Sequence, residues 1–181
     1  MIRPVADAIR QTDVAEREGR VRVLFVCLGN ICRSPAADGI MQDLVRERGV
    51  ADRWEIDSAG TGNYHIGDLP DSRMRVHARR RGFDLRHICR QVRETDFSNF
   101  DLIIGMDDAN CRNLRRMAPT PEDERKVFRM ASFFGSFSRY DSVPDPYYEG
   151  AEGFELVLDM LADATQNLFD TVGAALKEID A

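Results

Sequence analysis

The chain has 181 residues and 20.5 kDa, enough for one domain with a real core, and its 43% hydrophobic and 31% charged residues are an ordinary globular balance. A net charge of −6 and a pI near 5.1 argue against general nucleic-acid binding. No apolar run approaches the roughly 18 residues of a membrane span, so no membrane insertion is expected.

Residues 1–20 mix Arg with Asp and Glu and hold no apolar secretory core, so a cytoplasmic location with reduced thiols is expected. They read as an N-terminal extension ahead of a single domain over 21–181. Val5, Ile9 and Thr12 fall on one face of a short helix, and the segment reads equally well as a loosely docked or disordered tail. Residues 22–27 predict a strand whose apolar run does not alternate, hence one buried on both faces. Residues 35–48 predict a helix with Ile40, Met41, Leu44 and Val45 inward, stopped at Gly49. A strand over 54–59, a Gly-rich loop over 60–70 and a helix over 72–81 stopped by Gly82 follow. Next come a strand over 100–106, a helix over 108–117, a strand over 126–130 and a loop over 139–150. Phe154, Val157, Leu161, Leu168, Val172, Leu176 and Ile179 then repeat at helical spacing over 154–179. Strands alternating with helices imply a parallel sheet covered on both faces, with ligands at the carboxyl ends of its strands.

The most informative run is Val-Leu-Phe-Val-Cys-Leu-Gly-Asn-Ile-Cys-Arg-Ser-Pro, residues 23–35. Cys27 and Arg33 stand in a Cys-x5-Arg-Ser pattern between a buried strand and a helix. A loop this short must curl. Curling points the backbone N–H groups of residues 28–34 (Leu28, Gly29, Asn30, Ile31, Cys32, Arg33, Ser34) toward a tetrahedral oxyanion. A helix N-terminus, converging N–H groups and a nearby guanidinium all favour a thiolate at Cys27. Arg33 offers a planar fork to two phosphate oxygens. Gly29 is expected to take a backbone conformation closed to residues with a β-carbon, and Asn30 to tolerate left-handed geometry. Ser34 suits the helix N-cap and could donate to the departing thiolate. Pro35 suits the first helical turn. In the second half of the chain, Pro144 and Pro146 bracket Asp145 and restrict its backbone, which suits a carboxyl that protonates a leaving oxygen and then activates water. The four cysteines, Cys27, Cys32, Cys89 and Cys111, show no zinc-type pairing with the three histidines, and no metal or cofactor is expected.

Three separated blocks carry a resemblance: residues 26–35, the Asp57-Ser58-Ala59-Gly60-Thr61 run, and Asp145-Pro146-Tyr147-Tyr148. From about Val21 to the C-terminal helix, the sequence resembles the low-molecular-weight protein tyrosine phosphatases. The resemblance implies an α/β, flavodoxin-like three-layer sandwich with a four-stranded parallel sheet. It implies metal-independent hydrolysis of phosphotyrosine through a phosphocysteine intermediate. Cys27 would be the nucleophile, Arg33 the phosphate clamp and Asp145 the general acid and base. Asn30, Ser34, Ser58 and His87 match a hydrogen-bond network that holds the loop open. Asp107 matches a polar position of structural character. Leu28, Tyr64, Tyr147 and Tyr148 match positions that wall the cleft, and His65 sits where it could tune substrate preference. The partner implied is a tyrosine-phosphorylated protein, with a tyrosine kinase acting on Tyr147 and Tyr148 as a further one.

A phosphate in the cradle lies several ångströms down, a depth that a phenyl ester reaches and a serine ester does not. Cys32, five residues from Cys27, meets it only if the loop curls, which would allow a reversible disulfide after oxidation. Arsenate reduction is a rival on this loop, but it needs a relay of close cysteines, and Cys89 and Cys111 are far apart in sequence. A phosphocysteine carrier is another, against which Arg33 and Asp145 count. Activity on small phosphoesters or phosphoarginine uses the same loop chemistry and stays open.

Overall fold

In the computed structural model of the chain, residues 1–12 and 19–181 are described, so residues 13–18 of the expected extension lie outside the described residues. A first helix, α1 (Ile2–Arg10), precedes β1 (Val21–Cys27) and α2 (Arg33–Glu47). A 3-10 turn leads into β2 (Trp54–Gly60), followed by α3 (Ser72–Arg80) and a one-turn α4 (Asp96–Asn99). Then come β3 (Leu102–Gly105), α5 (Asp108–Met117), the short α6 (Pro121–Glu124), β4 (Val127–Arg129) and a long α7 (Ala151–Asp180).

The four strands form one parallel sheet in the order β2-β1-β3-β4, the flavodoxin-like arrangement expected. β1 is central, as its unbroken apolar run requires. Val23 and Phe25 join Leu102 and Ile104 in a core shared with α1, α2 and α7, while Leu24 and Val26 join Ile103, Phe97, Leu114 and Val127 on the opposite face. Both faces of β1 are dry from Val23 to Val26, so none of these four positions is free to be polar. Val26 sits opposite Ala59 on β2 and Gly105 on β3, which brings the carboxyl ends of three strands level. The chain leaves β1 toward β2 and later crosses to the other side of β1 for β3. That reversal opens a crevice at the strand ends, where Cys27 lies.

Gly82, at φ +93°, ends the α3 region in the left-handed conformation expected of it. α1 packs on α7, with Val5, Ala6, Ala8 and Ile9 fully buried. Burying Val5 and Ile9 contributes about 1.5–3 kcal/mol each. The Thr12 hydroxyl donates to the buried Asp101 carboxylate, which also accepts the Arg22 N–H at 2.8 Å. This ties the N-terminal segment to the start of β1 and β3, the end of the sheet away from Cys27. Among the described residues no helix is long and apolar enough to cross a membrane.

Candidate active site

The loop between β1 and α2 is held from outside by its carbonyls. Cys27 and Leu28 carbonyls accept the Thr61 and Gly62 N–H groups at 2.9 Å, and the Ile31 carbonyl accepts the Asp71 N–H at 2.8 Å. The Asn30 carbonyl accepts the Cys89 thiol at 2.8 Å. Peptide planes are rigid, so outward carbonyls turn the N–H groups of Leu28, Gly29, Ile31 and Cys32 inward. The loop thereby lines its own centre with donors, the geometry an oxyanion needs.

Asn30 is the pivot. It is the one non-glycine among the described residues with positive φ, +56°, and it is fully buried. Its Nδ2 donates to Ser34 Oγ at 2.9 Å and Ser58 Oγ at 3.1 Å. Its Oδ1 accepts the Arg90 N–H at 2.9 Å and lies 2.8 Å from His87 Nε2. Because Nδ2 serves two hydroxyls, Oδ1 must accept, which assigns the proton to His87 Nε2. The left-handed geometry that Asn30 was expected to tolerate is present, whereas Gly29, expected to take a backbone closed to residues with a β-carbon, has no positive φ. Gly29 serves differently, since a β-carbon there would come within 3.2 Å of the His65 ring. Gly60 is tighter: its β-carbon would stand 2.7 Å from the Leu28 carbonyl and 3.1 Å from Asn30 N.

Ser34 was expected at the N-cap, but Cys32 occupies that position and Ser34 sits in the first turn of α2. Its Oγ stands 3.1 Å from Cys27 Sγ and 3.3 Å from the Ala59 carbonyl. Its single proton can therefore serve either the carbonyl or the sulfur. Cys27 and Cys32 are both buried free thiols facing the same cavity. Burial, then the Asp71 carboxylate, pushes the Cys32 thiol far up, so it stays protonated.

Arg33 reaches across from α2. Its Nη1 donates to Asp107 Oδ2 at 2.6 Å and to the Val143 carbonyl at 3.2 Å, and its Nη2 lies 3.5 Å from Asp145 Oδ2. Burial works against its charge, but Cys27, Asp107 and Asp145 outweigh burial and hold its pKa above the ordinary value. Asp107 also caps α5, its Oδ1 accepting the Asn110 N–H at 2.8 Å. Sequence reasoning gave Asp107 a structural role only; the structure makes it the main partner of Arg33. The signal available was the Asp107–Asn110 capping pair after an apolar strand, which marks the carboxyl end of β3.

Asp145 is half-exposed on a loop braced by its own Oδ1, which accepts the Tyr147 N–H at 3.1 Å. A cavity of about 360 Å³ is lined by Cys27, Arg33 and Asp145, with Leu28, Tyr64, His65, Tyr147 and Tyr148 around its mouth. The Tyr147 and Tyr148 rings meet edge to face at 5.0 Å. All the expected cleft residues thus surround one opening, while Asn30, Ser34, Ser58 and His87 stand behind the loop.

Behind His87 lie Asp38 and Asp57, 3.6 and 3.5 Å from its Nδ1. Among the described residues these three are the set close enough to hold a metal ion, within 4.8 Å of one another. Their protein partners already engage them: Arg90 pairs with Asp57 and Asp96, Ser58 N donates to Asp57, and Gln42 donates to Asp38. Burial, then Asp57, pushes the Asp38 carboxyl up to about 7. Burial lowers His87, with Asp57 acting in the opposite direction. Arg90, Cys89 and Asp38 all support this region, and no local sequence signal announced them.

The sequence pattern described as low molecular weight phosphotyrosine protein phosphatase matches residues 22–178. The chain belongs to that family. A low molecular weight protein-tyrosine-phosphatase of Streptomyces coelicolor is 41% identical over 152 residues, covering 83% of this chain and 93% of the relative. The crystal structure of a protein tyrosine phosphatase from Entamoeba histolytica superposes with a TM-score of 0.82 at 41% identity, over 89% of this chain and 99% of that one. That of a Drosophila arginine phosphatase superposes with a TM-score of 0.76 at 32% identity, over 82% of this chain and 96% of that one. The family match begins beyond α1, so that helix and its packing on α7 are additions to the matched region.

Proposed function

We propose that this protein tyrosine phosphatase hydrolyses phosphotyrosine in proteins with Cys27 as nucleophile, Arg33 as phosphate clamp and Asp145 as general acid and base. The observation that carries the reading is the convergence of thiol, guanidinium and carboxyl on one cavity, with Arg33 and Asp145 3.5 Å apart. The phosphate dianion sits among the inward N–H groups, with the Arg33 fork on two of its oxygens. The Cys27 thiolate attacks phosphorus as the bond to the phenolic oxygen breaks, and protonated Asp145 gives its proton to that oxygen. In the second step Asp145 takes a proton from water. The water oxygen attacks phosphorus, the sulfur–phosphorus bond breaks, and the thiolate returns. The Ser34 hydroxyl, 3.1 Å away, donates to that sulfur as it leaves.

Leu28, Tyr64 and Tyr147 make the cavity mouth apolar and aromatic, which favours a phenyl ring over an alkyl ester. Peroxide would convert the Cys27 thiolate to a sulfenic acid. The Cys32 thiol then displaces water to form a disulfide, and its raised pKa makes that closure slow at neutral pH.

The test compares phosphotyrosine, phosphoserine and phosphoarginine peptides with wild type, Cys27→Ser and Asp145→Asn, in the presence of chelator. Selective turnover of phosphotyrosine, abolished in Cys27→Ser, is expected. Asp145→Asn should slow poor leaving groups most. Preference for phosphoarginine, or turnover surviving in Cys27→Ser, would sink the assignment. Mass spectrometry after peroxide reads the Cys27–Cys32 bridge; sulfinic acid at Cys27 without it would exclude the redox step.

A further inference from the structure

Charge is distributed unevenly in this acidic protein. Eight arginines lie between Arg73 and Arg93 against one acidic residue, Asp84, a local net of +7 in a chain of net −6. Several are neutralised: Arg81 pairs with Glu155 and Asp159, Arg90 with Asp57 and Asp96, and Arg86 with Asp84. On α3, Arg73 pairs with Asp71 at 2.9 Å, and the arginines beyond it are less engaged. At 100° per residue, Ser72, Arg73, Arg75, Val76, Arg79 and Arg80 share one continuous arc, while Met74, His77 and Ala78 are buried on the other side. Among the described residues, the Arg75 guanidinium donates to the Pro70 carbonyl and pairs with no carboxylate, Arg79 stands 3.7 Å from an Asp84 already engaged by Arg86, and Arg80 has no carboxylate partner. Exposed Val76 lies between them.

The arc begins at the cavity. Asp71, which caps α3, donates its N–H to the Ile31 carbonyl of the phosphate loop. The Arg73 guanidinium lies over the Tyr147 ring, 5.2 Å from its centroid. From there α3 runs outward for about 13 Å, the length of its nine residues. A second groove, on the flank of the acid loop, is lined by Asp145, Glu149 and Glu152 and has the opposite sign. A chain leaving the cleft with negative charge is repelled on that flank and attracted along α3.

We propose that the outer face of α3, through Arg75, Arg79 and Arg80, docks an acidic segment of the phosphotyrosine substrate. The proposal rests on the phosphotyrosine reading above and names the sequence class of its substrates. An extended peptide advances about 3.3 Å per residue, so the acidic residues fall roughly three to eight positions from the phosphotyrosine. The net negative charge of the rest of the chain disfavours a polyanionic membrane or nucleic acid on the same face.

The test uses two phosphotyrosine peptides identical except for Glu or Gln at positions three to eight from the phosphotyrosine, with para-nitrophenyl phosphate as a substrate lacking any flank. Wild type should turn over the Glu peptide with about tenfold higher kcat/KM at low salt, a margin that shrinks as salt screens it. The Arg75→Glu, Arg79→Glu, Arg80→Glu triple variant should lose the margin while keeping para-nitrophenyl phosphate turnover. Arg79→Gln with Arg80→Gln, which leaves the Arg75–Pro70 hydrogen bond in place, should lose part of it. Equal kcat/KM for the two peptides in wild type would overturn the proposal, as would a margin unchanged in the variants, or wild-type binding to phosphatidylserine vesicles that the triple variant loses. Failure to hydrolyse either peptide, with para-nitrophenyl phosphate still turned over, would instead overturn the phosphotyrosine reading itself.

Discussion

Replacing Asn30 separates the two jobs this residue does. Its side chain makes four buried hydrogen bonds, to Ser34, Ser58, His87 and the Arg90 N–H, and its backbone holds φ at +56°. At about 1 kcal/mol net for each hydrogen bond, Asn30→Ala should cost about 4 kcal/mol, and the alanine β-carbon, like that of asparagine, keeps the left-handed penalty of about 1–2 kcal/mol. Asn30→Gly loses the same hydrogen bonds but carries none of the left-handed strain. Glycine normally costs about 0.5–1 kcal/mol more than alanine through unfolded-state entropy, so relief of the strain should leave Asn30→Gly the more stable variant by up to about 1.5 kcal/mol. That inverts the usual order of the two residues. Urea unfolding of both variants beside wild type measures it, with para-nitrophenyl phosphate turnover expected to fall at least about tenfold in each. An alanine variant as stable as the glycine one would show that the loop does not depend on left-handed geometry here. A loss under about 1 kcal/mol in both would show that the network adds nothing to the fold.

Asp107→Asn keeps a good cap for α5 but removes the charge opposite Arg33, whereas Asp107→Ala removes both. Both should lower kcat/KM about tenfold, and the alanine variant should lose about 1 kcal/mol more stability than the asparagine one. Unchanged kcat/KM in both would remove Asp107 from the positioning of Arg33. The Asp38 carboxyl, raised to about 7, holds its proton in the folded chain over a range where an unfolded carboxyl, near pH 4, has lost it. The folded state therefore binds more protons there, and this group's contribution to stability falls as pH rises from about 4 to about 7. The stability of Asp38→Asn relative to wild type should rise across that interval and level off above it, read from urea midpoints at a series of pH values. A difference independent of pH would show that Asp38 does not titrate there amid Asp57, His87 and Arg90.

The features legible in the chain were those written in neighbouring residues. An unbroken apolar strand, a Cys-x5-Arg loop and Ser-Pro at a helix start lie within 13 residues, and so short a connection from strand to helix must curl. The sheet followed from alternating strands and helices, because a parallel strand pair requires a crossover that covers one face. Helix ends were legible to within a few residues, since Gly82 has a conformational role that spacing reveals. Local reasoning found the left-handed tolerance of Asn30 but erred at Gly29, whose backbone needs no positive φ and whose missing β-carbon instead leaves room for the His65 ring.

Tertiary structure decided which distant groups meet. Arg33 finds Asp107, 74 residues away, because β1 and β3 are neighbours whose carboxyl ends are level. Asn30 finds Arg90 and Cys89 because the segment after α3 returns alongside Gly60, where the Gly60 N–H donates to the Arg90 carbonyl. The packing of α1 on α7 likewise depends on an apolar face that only the folded bundle presents. Sequence spacing determines the conformation of a few consecutive residues. Strand order, set by burial of the whole sheet, determines which charges stand opposite one another, and here it placed Asp107 against Arg33.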